Sequence, residues 1–344
     1  MSKMWPRIGF MLLVAAGLLM PLAGVYPVFL MKVLCFALFA SAFNLVLGYA
    51  GLLSLGHAAF FGMAGYVAGH TIKVWGWPPE AGVLAAVAVS AALGWVFGSI
   101  AIRRRGIYFA MVTLALAQML YFFCVQSQFT GAEDGLQSIP RGKLLGMIDL
   151  SSDLTIYYVV LATYLIAFAL IRRIVQSPFG QVLQAIRENE PRVRSLGYDV
   201  ERFKLLAIVL SAALSGLAGA TKAIVLGIAT LIDVHWHMSG HVVLMALIGG
   251  MQTLFGPSIG AVVVVGLESI LSDKVGSWVT TIMGALFVLC VLVFRRGIVG
   301  EIGARIRVQM LKHLSPKTGE AGTGTRKQQA LGVGGEERVT LPRR

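Results

Sequence analysis

Eight apolar runs in this sequence are each about as long as the roughly 20 residues that an α-helix needs to cross a lipid bilayer. Runs of this number and length indicate a polytopic membrane protein. The composition agrees, because 57% of the residues are hydrophobic and only 13% are charged, whereas a soluble domain has roughly 25% charged residues. The predicted spans are residues 8–25, 28–47, 52–72, 81–102, 107–125, 155–171, 205–231 and 278–294.

A ninth apolar region, residues 241–271, is interrupted by four helix-breaking residues. Glycine and proline at these positions divide the region into two arms, each predicted to be too short to cross comfortably. The region is therefore expected to be a re-entrant hairpin or two short spans that line the interior of the bundle, since irregular backbone at membrane depth needs cover. The turn is predicted near Gly256 and Pro257. The four breaking residues are Gly249, Gly250, Gly256 and Pro257.

The orientation follows from the excess of Lys and Arg in cytoplasmic loops. Basic residues cluster at 103–105, 172–204 and 295–296, and a cytoplasmic N-terminus places the first two clusters inside. A hairpin at 241–271 then returns the third cluster to the inside. The sequence predicts an all-α transmembrane bundle with about eight full spans plus the broken pair, with both termini cytoplasmic. The division predicted is a first span in residues 1–27, a membrane domain in 28–302 and a basic, disordered tail in 303–344.

Residues 177–204, between two apolar runs, are polar for long enough to fold in water, and we call them the polar segment. The segment mixes both charge signs and is predicted to form a helix over 180–189, a break at Pro191, a second short helix over 192–196 and a turn at Gly197. A folded polar insertion suggests a surface that docks a separate soluble motor. A solvated loop that only sets orientation is the alternative.

A second unusual stretch, residues 48–66, contains five glycines. This density predicts close helix packing and local unwinding, with a break marked by Ser54, Gly56 and His57, as in the discontinuous helices of transporters. These three residues and the four breaking residues of 241–271 are the candidates for a translocation path. For His57 alone, a hydrogen bond to a neighbouring carbonyl is favoured over a role in the path or in sensing protons.

Other polar residues in the spans have simpler interpretations. Lys32 and Lys222 are placed near the outer ends of their spans, where they can extend to the lipid headgroups. A stripe of small residues at every fourth position predicts a closely packed helix face. A group of acidic and histidine side chains after the seventh span matches no zinc pattern and is interpreted as a polar outer mouth. The stripe is Ser211, Ser215, Gly219 and Ala223, and the group is Asp233, His235, His237 and His241.

Several function classes are disfavoured. The net charge of +13 lies in clusters between apolar runs, where lipid and topology account for it, so no nucleic-acid partner is predicted. The nearest approach to a nucleotide-binding loop, residues 319–325, lacks the required lysine, so this chain is expected to bind no cofactor and to leave ATP to another chain. An enzyme has little support, and an ion-coupled carrier is disfavoured because Glu268 is the main carboxylate available within the spans.

Four stretches resemble the LivM-type permease subunit of the branched-chain amino acid ABC importers, over about residues 28–300. They are GYAGLLSLGHAAFFGMAGY at 48–66, FTGAEDGLQSIPR at 129–141, SPFGQVLQAIRENEPRVRSLGYDVERFKLLAIVLSAALSGLAGA at 177–220 and MALIGGMQTLFGPSIGA at 245–261.

The resemblance implies a permease in the bacterial inner membrane that works with a LivH-type permease, two cytoplasmic ATPase subunits and a periplasmic binding protein. The substrate implied is a branched-chain or related amino acid, while permeases for urea and short amides share the same motifs. The resemblance also implies that the polar segment contains the helix that couples the permease to the ATPase. The residues it assigns to this coupling are Ala185, Glu188, Asn189, Arg194 and Gly197.

Overall fold

The structure is a computed structural model. It describes residues 11, 13–15, 17–24, 26–144, 146, 148–278, 281, 282, 284, 285, 288, 297 and 300. The spans predicted at 8–25 and 278–294 lie partly outside these residues, and the tail predicted at 303–344 lies wholly outside them.

The described chain is almost entirely helical, which confirms the predicted fold class, and a small antiparallel hairpin is added in the longest loop. The α-helices are α1 (Pro27–Asn44), α2 (His57–Lys73), α3 (Pro79–Ala101), α4 (Ile107–Gln126), α5 (Asp153–Gln176), α6 (Pro178–Ser195), α7 (Val200–Leu226), α8 (Leu231–Val234), α9 (Trp236–Gly249) and α10 (Gly256–Val275). The strands are β1 (Lys143–Leu144) and β2 (Ile148–Asp149). A π-helix (Leu45–Tyr49) extends α1, and 3₁₀ turns occupy Met20–Ala23, Gln128–Thr130, Ala132–Asp134 and Gly276–Trp278.

Five helices of the described chain are long and apolar enough to cross a membrane: α1 with its π-helix, α3, α4, α5 and α7. They correspond to five of the eight predicted spans. The span predicted at 52–72 is shorter than expected, because residues 50–56 are not helical and α2 begins only at His57. We call residues 50–56 the helix break.

Helix α7 lies at the centre of the bundle, in contact with α1, α2 and α3. The small-residue face predicted for this helix is confirmed, since Ser211, Ser215, Gly219 and Ala223 are all buried. A Cβ added at Gly219 would overlap the backbone carbonyl of Phe61. Small side chains therefore let the backbones of α2 and α7 approach closely, which is how helices associate in a bilayer without a hydrophobic driving force.

Helices α9 and α10 form the broken pair, and its turn lies directly before Gly256 and Pro257, near which it was predicted. Residues 250–255, which we call the hairpin turn, connect the two helices, and Gly256 and Pro257 are the first residues of α10. A proline in the first turn of a helix lacks only an N–H that would have no helical partner, so it begins the helix instead of breaking it. The arm α10 is also longer than predicted, with 20 residues, although its apolar part ends at Ser272.

Lys222 does not extend to the headgroups, which corrects the prediction for this residue. It exposes only 8% of its surface and its ammonium forms an ion pair with Asp233, which is also buried. The same ammonium lies 5.8 Å from the ring centroid of Phe36 and 5.7 Å from that of Phe61. The pair ties α7 to α8 across the Gly227 turn, so Asp233 is part of the packed interior and not of an open polar mouth.

Candidate functional site

Three capping side chains define the helices of the polar segment. Ser177 Oγ accepts a hydrogen bond from the Gly180 amide at 3.4 Å, Asn189 Oδ1 from the Arg192 amide at 3.1 Å and Asp199 Oδ1 from the Arg202 amide at 3.2 Å. Each bond spans three residues, as N-cap bonds do. Helix α6 therefore begins at Pro178, two residues before the predicted start. The extended backbone of Asn189 divides it into a first arm, residues 178–188, and a second arm, residues 190–195.

The two arms of α6 bury one face and expose the other. Leu183, Ile186 and Val193 are buried against the bundle. Gly197, at φ +87°, provides the predicted turn before α7. All five residues that the resemblance assigned to coupling are exposed, so they share the outer side of an anchored element: Ala185, Glu188, Asn189, Arg194 and Gly197.

Glu190 anchors the second arm through three cations. Its Oε2 accepts from Lys204 Nζ at 2.8 Å, and its Oε1 lies 3.2 Å from Arg105 Nη2 and 3.3 Å from Arg194 Nη2. Partial burial acts to raise the pKa of the Glu190 carboxyl, but the hydrogen bond from Lys204 and the three positive charges hold this pKa below its usual value. The Arg105 contact also confirms that the basic cluster at 103–105 lies on the same face of the bundle as the polar segment.

The helix break is covered by side chains from neighbouring helices. Thr113 Oγ1 on α4 accepts from the Leu55 amide at 3.1 Å, and Ser239 Oγ on α9 accepts from the Ala58 amide at 3.0 Å. A Cβ added at Gly56 would lie 2.8 Å from the Thr113 carbonyl oxygen. These bonds satisfy one N–H group of the helix break and one of the free N–H groups at the start of α2, which helps a helix to begin among buried neighbours.

His57 bonds a hydroxyl and not the neighbouring carbonyl that was favoured for it. Its Nε2 lies 2.9 Å from Ser211 Oγ, and Ser211 donates its hydrogen to the Ala42 carbonyl at 2.6 Å. Because that hydroxyl hydrogen is already used, Nε2–H must be the donor to Ser211. Among the described residues the buried Nδ1 has no hydrogen-bond partner. His57 thus links α2, α7 and α1.

The hairpin turn is held by the end of α1. Asn44 Nδ2 donates to the Thr253 carbonyl at 3.1 Å, and the Tyr49 hydroxyl donates to the Gln252 carbonyl at 3.4 Å. Gly250 lies at φ +114°, and a Cβ added at Gly249 would overlap the Gly256 carbonyl. The turn therefore depends on glycine at points where two backbones meet.

The candidate path residues form two separate groups. Ser54, Gly56 and His57 pack among α1, α4, α7 and α9. Gly249 and Gly256, on either side of the hairpin turn, instead lie where the backbones of α9 and α10 meet. A cavity of about 260 Å³ connects the hairpin turn with the polar segment, and it is lined by Gly48, Tyr49, Gln184, Arg187, Glu188 and Gln252. The geometry brings the turn next to the polar segment, while Ser54 and His57 do not line this cavity.

Several residues of the site were not predicted. The burial of Lys222 in its ion pair with Asp233 could have been predicted, because Lys222 follows Gly219 by three residues and therefore shares the packed face of α7. Asp233 is also the only acidic residue between Glu201 and Glu268. No feature of the sequence indicated the contacts of Arg187 and Glu190, because the polar segment contains several other arginines and glutamates.

The spans, the broken pair and the anchored polar segment define a multi-pass α-helical membrane protein with one folded polar insertion. The chain belongs to the family of permease components of the branched-chain amino acid transport system, whose sequence profile matches residues 27–293.

Relatives of both permease types are found. The chain is 29% identical over 278 residues to the high-affinity branched-chain amino acid transport permease LivM of Salmonella typhimurium and 27% identical over 277 residues to that of Escherichia coli K12, in each case over 72% of this chain and 64% of the relative. It is 24% identical over 283 residues to LivH of Escherichia coli K12, over 77% of this chain and 91% of the relative. The chain therefore spans just under two thirds of the length of these LivM relatives.

Proposed function

We propose that this protein is a permease subunit of an ATP-driven importer in the bacterial inner membrane. It moves a branched-chain or related amino acid from a periplasmic binding protein into the cytoplasm. ATP is bound and hydrolysed by two separate ATPase subunits, and a LivH-type permease completes the membrane part. Family membership supports the transport role, and the naming of the LivM and LivH relatives supports the substrate class.

The observation that carries the proposal is the two-sided construction of the polar segment. Its inner side is anchored by buried apolar residues and by the Glu190 ion pairs, so a force on the outer side is transmitted to the bundle instead of being absorbed by a flexible loop. Its outer side presents Glu188 and Arg194 in water. Such a surface suits a soluble motor that recognises charge.

In the proposed cycle, ATP binding draws the two motors together and moves the polar segment. The bundle then changes the side to which its path is open, which is alternating access between two states. Affinity for the substrate resides mainly in the binding protein, so the path itself needs to hold the substrate only briefly.

Charge reversal at Glu188 and Arg194 tests the docking surface. We expect Glu188→Arg and Arg194→Glu to reduce both the ATPase that co-purifies with the chain and the ATP-driven uptake by about tenfold or more, as expected when like charges meet at an interface. The result for Glu188 is easier to interpret, because within the described residues Glu188 has no ion pair, whereas Arg194 also contacts Glu190.

Glu133→Arg is the matched control, since Glu133 is an exposed glutamate in the loop that is predicted to face outside. It should leave ATPase co-purification unchanged. Wild-type assembly and uptake in both reversal variants would remove the docking role. Uptake by the purified chain alone, driven by an ion gradient without nucleotide, would indicate a carrier and refute the importer.

A further inference from the structure

Arg187 connects the first arm of α6 directly to the end of α1. Its Nη1 donates a hydrogen bond to the Gly48 carbonyl at 2.6 Å, across 139 positions of sequence. The aliphatic part of the same side chain lies against Gly51, where an added Cβ would come within 2.7 Å of Arg187 Cγ. Gly51 has φ +72°, a conformation that glycine adopts readily. The contact therefore lies on the backbone where the helix break begins.

The Gly48 carbonyl is available because of the π-helix that precedes the break. The amides of Ala50 and Leu52 bond back to the carbonyls of Leu45 and Val46, and the chain leaves helical geometry at residue 50. Carbonyls at the end of a helix lack partners within the helix. The bond from Arg187 stabilises this otherwise open end.

The surroundings of Arg187 allow it to move with the first arm. The cavity of about 260 Å³ lies beside it, between the first arm and the hairpin turn. On the far side, Tyr49 bonds the Gln252 carbonyl, so a displacement of residues 48–49 also reaches the hairpin turn. The second arm, by contrast, is held by Glu190 to Lys204 on α7 and to Arg105.

We propose that Arg187 is the positioning residue through which movement of the exposed side of the polar segment acts on the helix break. This inference rests on the proposed function and deepens it. Arg187 immediately precedes the exposed Glu188, so a motor that moves the first arm changes the length of the Arg187 bond to Gly48. The force then enters at the junction of α1 and α2 and at the hairpin turn, in addition to the covalent connection into α7.

The test uses the complete importer, co-purified from its native membrane and reconstituted in vesicles, with uptake and ATP hydrolysis measured together. Arg187→Met should preserve subunit assembly and ATP hydrolysis but lower the substrate moved per ATP by at least about fivefold, the lower end of usual coupling effects. A purely structural role would lower the amount of folded complex and leave this ratio unchanged. Arg173→Met is the control, as it removes an exposed arginine at the end of α5.

Arg187→Lys covers the case in which Arg187→Met fails to assemble. Lysine keeps the charge but has a shorter side chain and a single donor group, so an assembled Arg187→Lys importer should also move less substrate per ATP. A wild-type ratio in either assembled variant overturns the inference, and so does a failure of both to assemble, which would assign Arg187 a structural role only. If the unaltered importer shows no ATP-dependent uptake, the proposed function fails instead.

Discussion

At the scale of single residues, the buried pair of Lys222 and Asp233 is the contact that departs most from what the sequence suggests. Taking two charges out of water is costly, and their attraction repays this only when further hydrogen bonds complete the site. Thr230 Oγ1 donates to Asp233 Oδ2 at 3.2 Å, and the faces of Phe36 and Phe61 lie beside the ammonium. Each charge thus depends on the other to remain buried.

We expect Lys222→Met to lower the free energy of unfolding by about 3–5 kcal/mol, because Asp233 would remain buried without its partner. The double variant Lys222→Met with Asp233→Asn should recover most of this loss, since it removes both charges. Thermal unfolding in detergent compares the stability of the wild type, the single variant and the double variant. A double variant that is no more stable than the single one would contradict a stabilising ion pair.

At the scale of elements, the polar segment is stabilised at the start of its helices by side chains of the segment itself. The caps Ser177, Asn189 and Asp199 determine where the helices begin, and Glu190 then attaches the second arm to α7. The pKa of Glu190 lies below the usual value of about 4.3 for a glutamate. Its stabilising effect is therefore complete above that usual value and is lost as the pH falls through the lower pKa of the folded protein.

Replacing Glu190 by Gln leaves Lys204 nearly buried without a negative partner. We expect Glu190→Gln to destabilise the protein by about 1–3 kcal/mol at neutral pH. The difference in thermal midpoint between wild type and variant should shrink as the pH falls below about 4.3, where Glu190 of the unfolded chain becomes protonated, and should vanish below the lower pKa of the folded protein. Glu188→Gln, at an exposed neighbouring position, serves as the control and should unfold like the wild type. A difference that does not change with pH would exclude the charge of Glu190 as its cause.

At the scale of the whole molecule, the bundle has a central pair of helices and a less covered periphery. Over an 18-residue apolar stretch, 83% of the residues are buried in α1 with its π-helix and 61% in α7, whereas only 28% are buried in α3 and 33% in α4. Apolar side chains that face outward incur no solvation penalty in a lipid environment. The peripheral helices therefore provide the surface for lipid, and the central helices hold the break and the hairpin turn.

The predicted orientation places the polar segment in the cytoplasm and the loop at 126–154 outside. Cysteines introduced at Ala185 and at Ser151, both exposed positions, should react with a membrane-impermeant maleimide from opposite sides. Ala185→Cys should react in inverted vesicles and Ser151→Cys in right-side-out vesicles. The parent protein is the control for its native cysteines, and labelling of both variants from one side would refute the orientation.

The sequence by itself determined the features that depend on local composition. The five long spans, the helix break near Gly56, the kinked polar segment and the packed face of α7 all follow from hydropathy, glycine and proline positions and helical spacing, because these act over a few neighbouring residues. Family membership was also evident from the motifs, and the sequence profile confirms it.

Only the tertiary structure decided which polar groups meet. The Arg187 bond to Gly48 spans 139 positions and the Asn44 bond to Thr253 spans 209, and no local pattern distinguishes Arg187 from the other arginines of its segment. A buried polar group must find a partner wherever the fold brings one, so these contacts are a property of the assembled bundle.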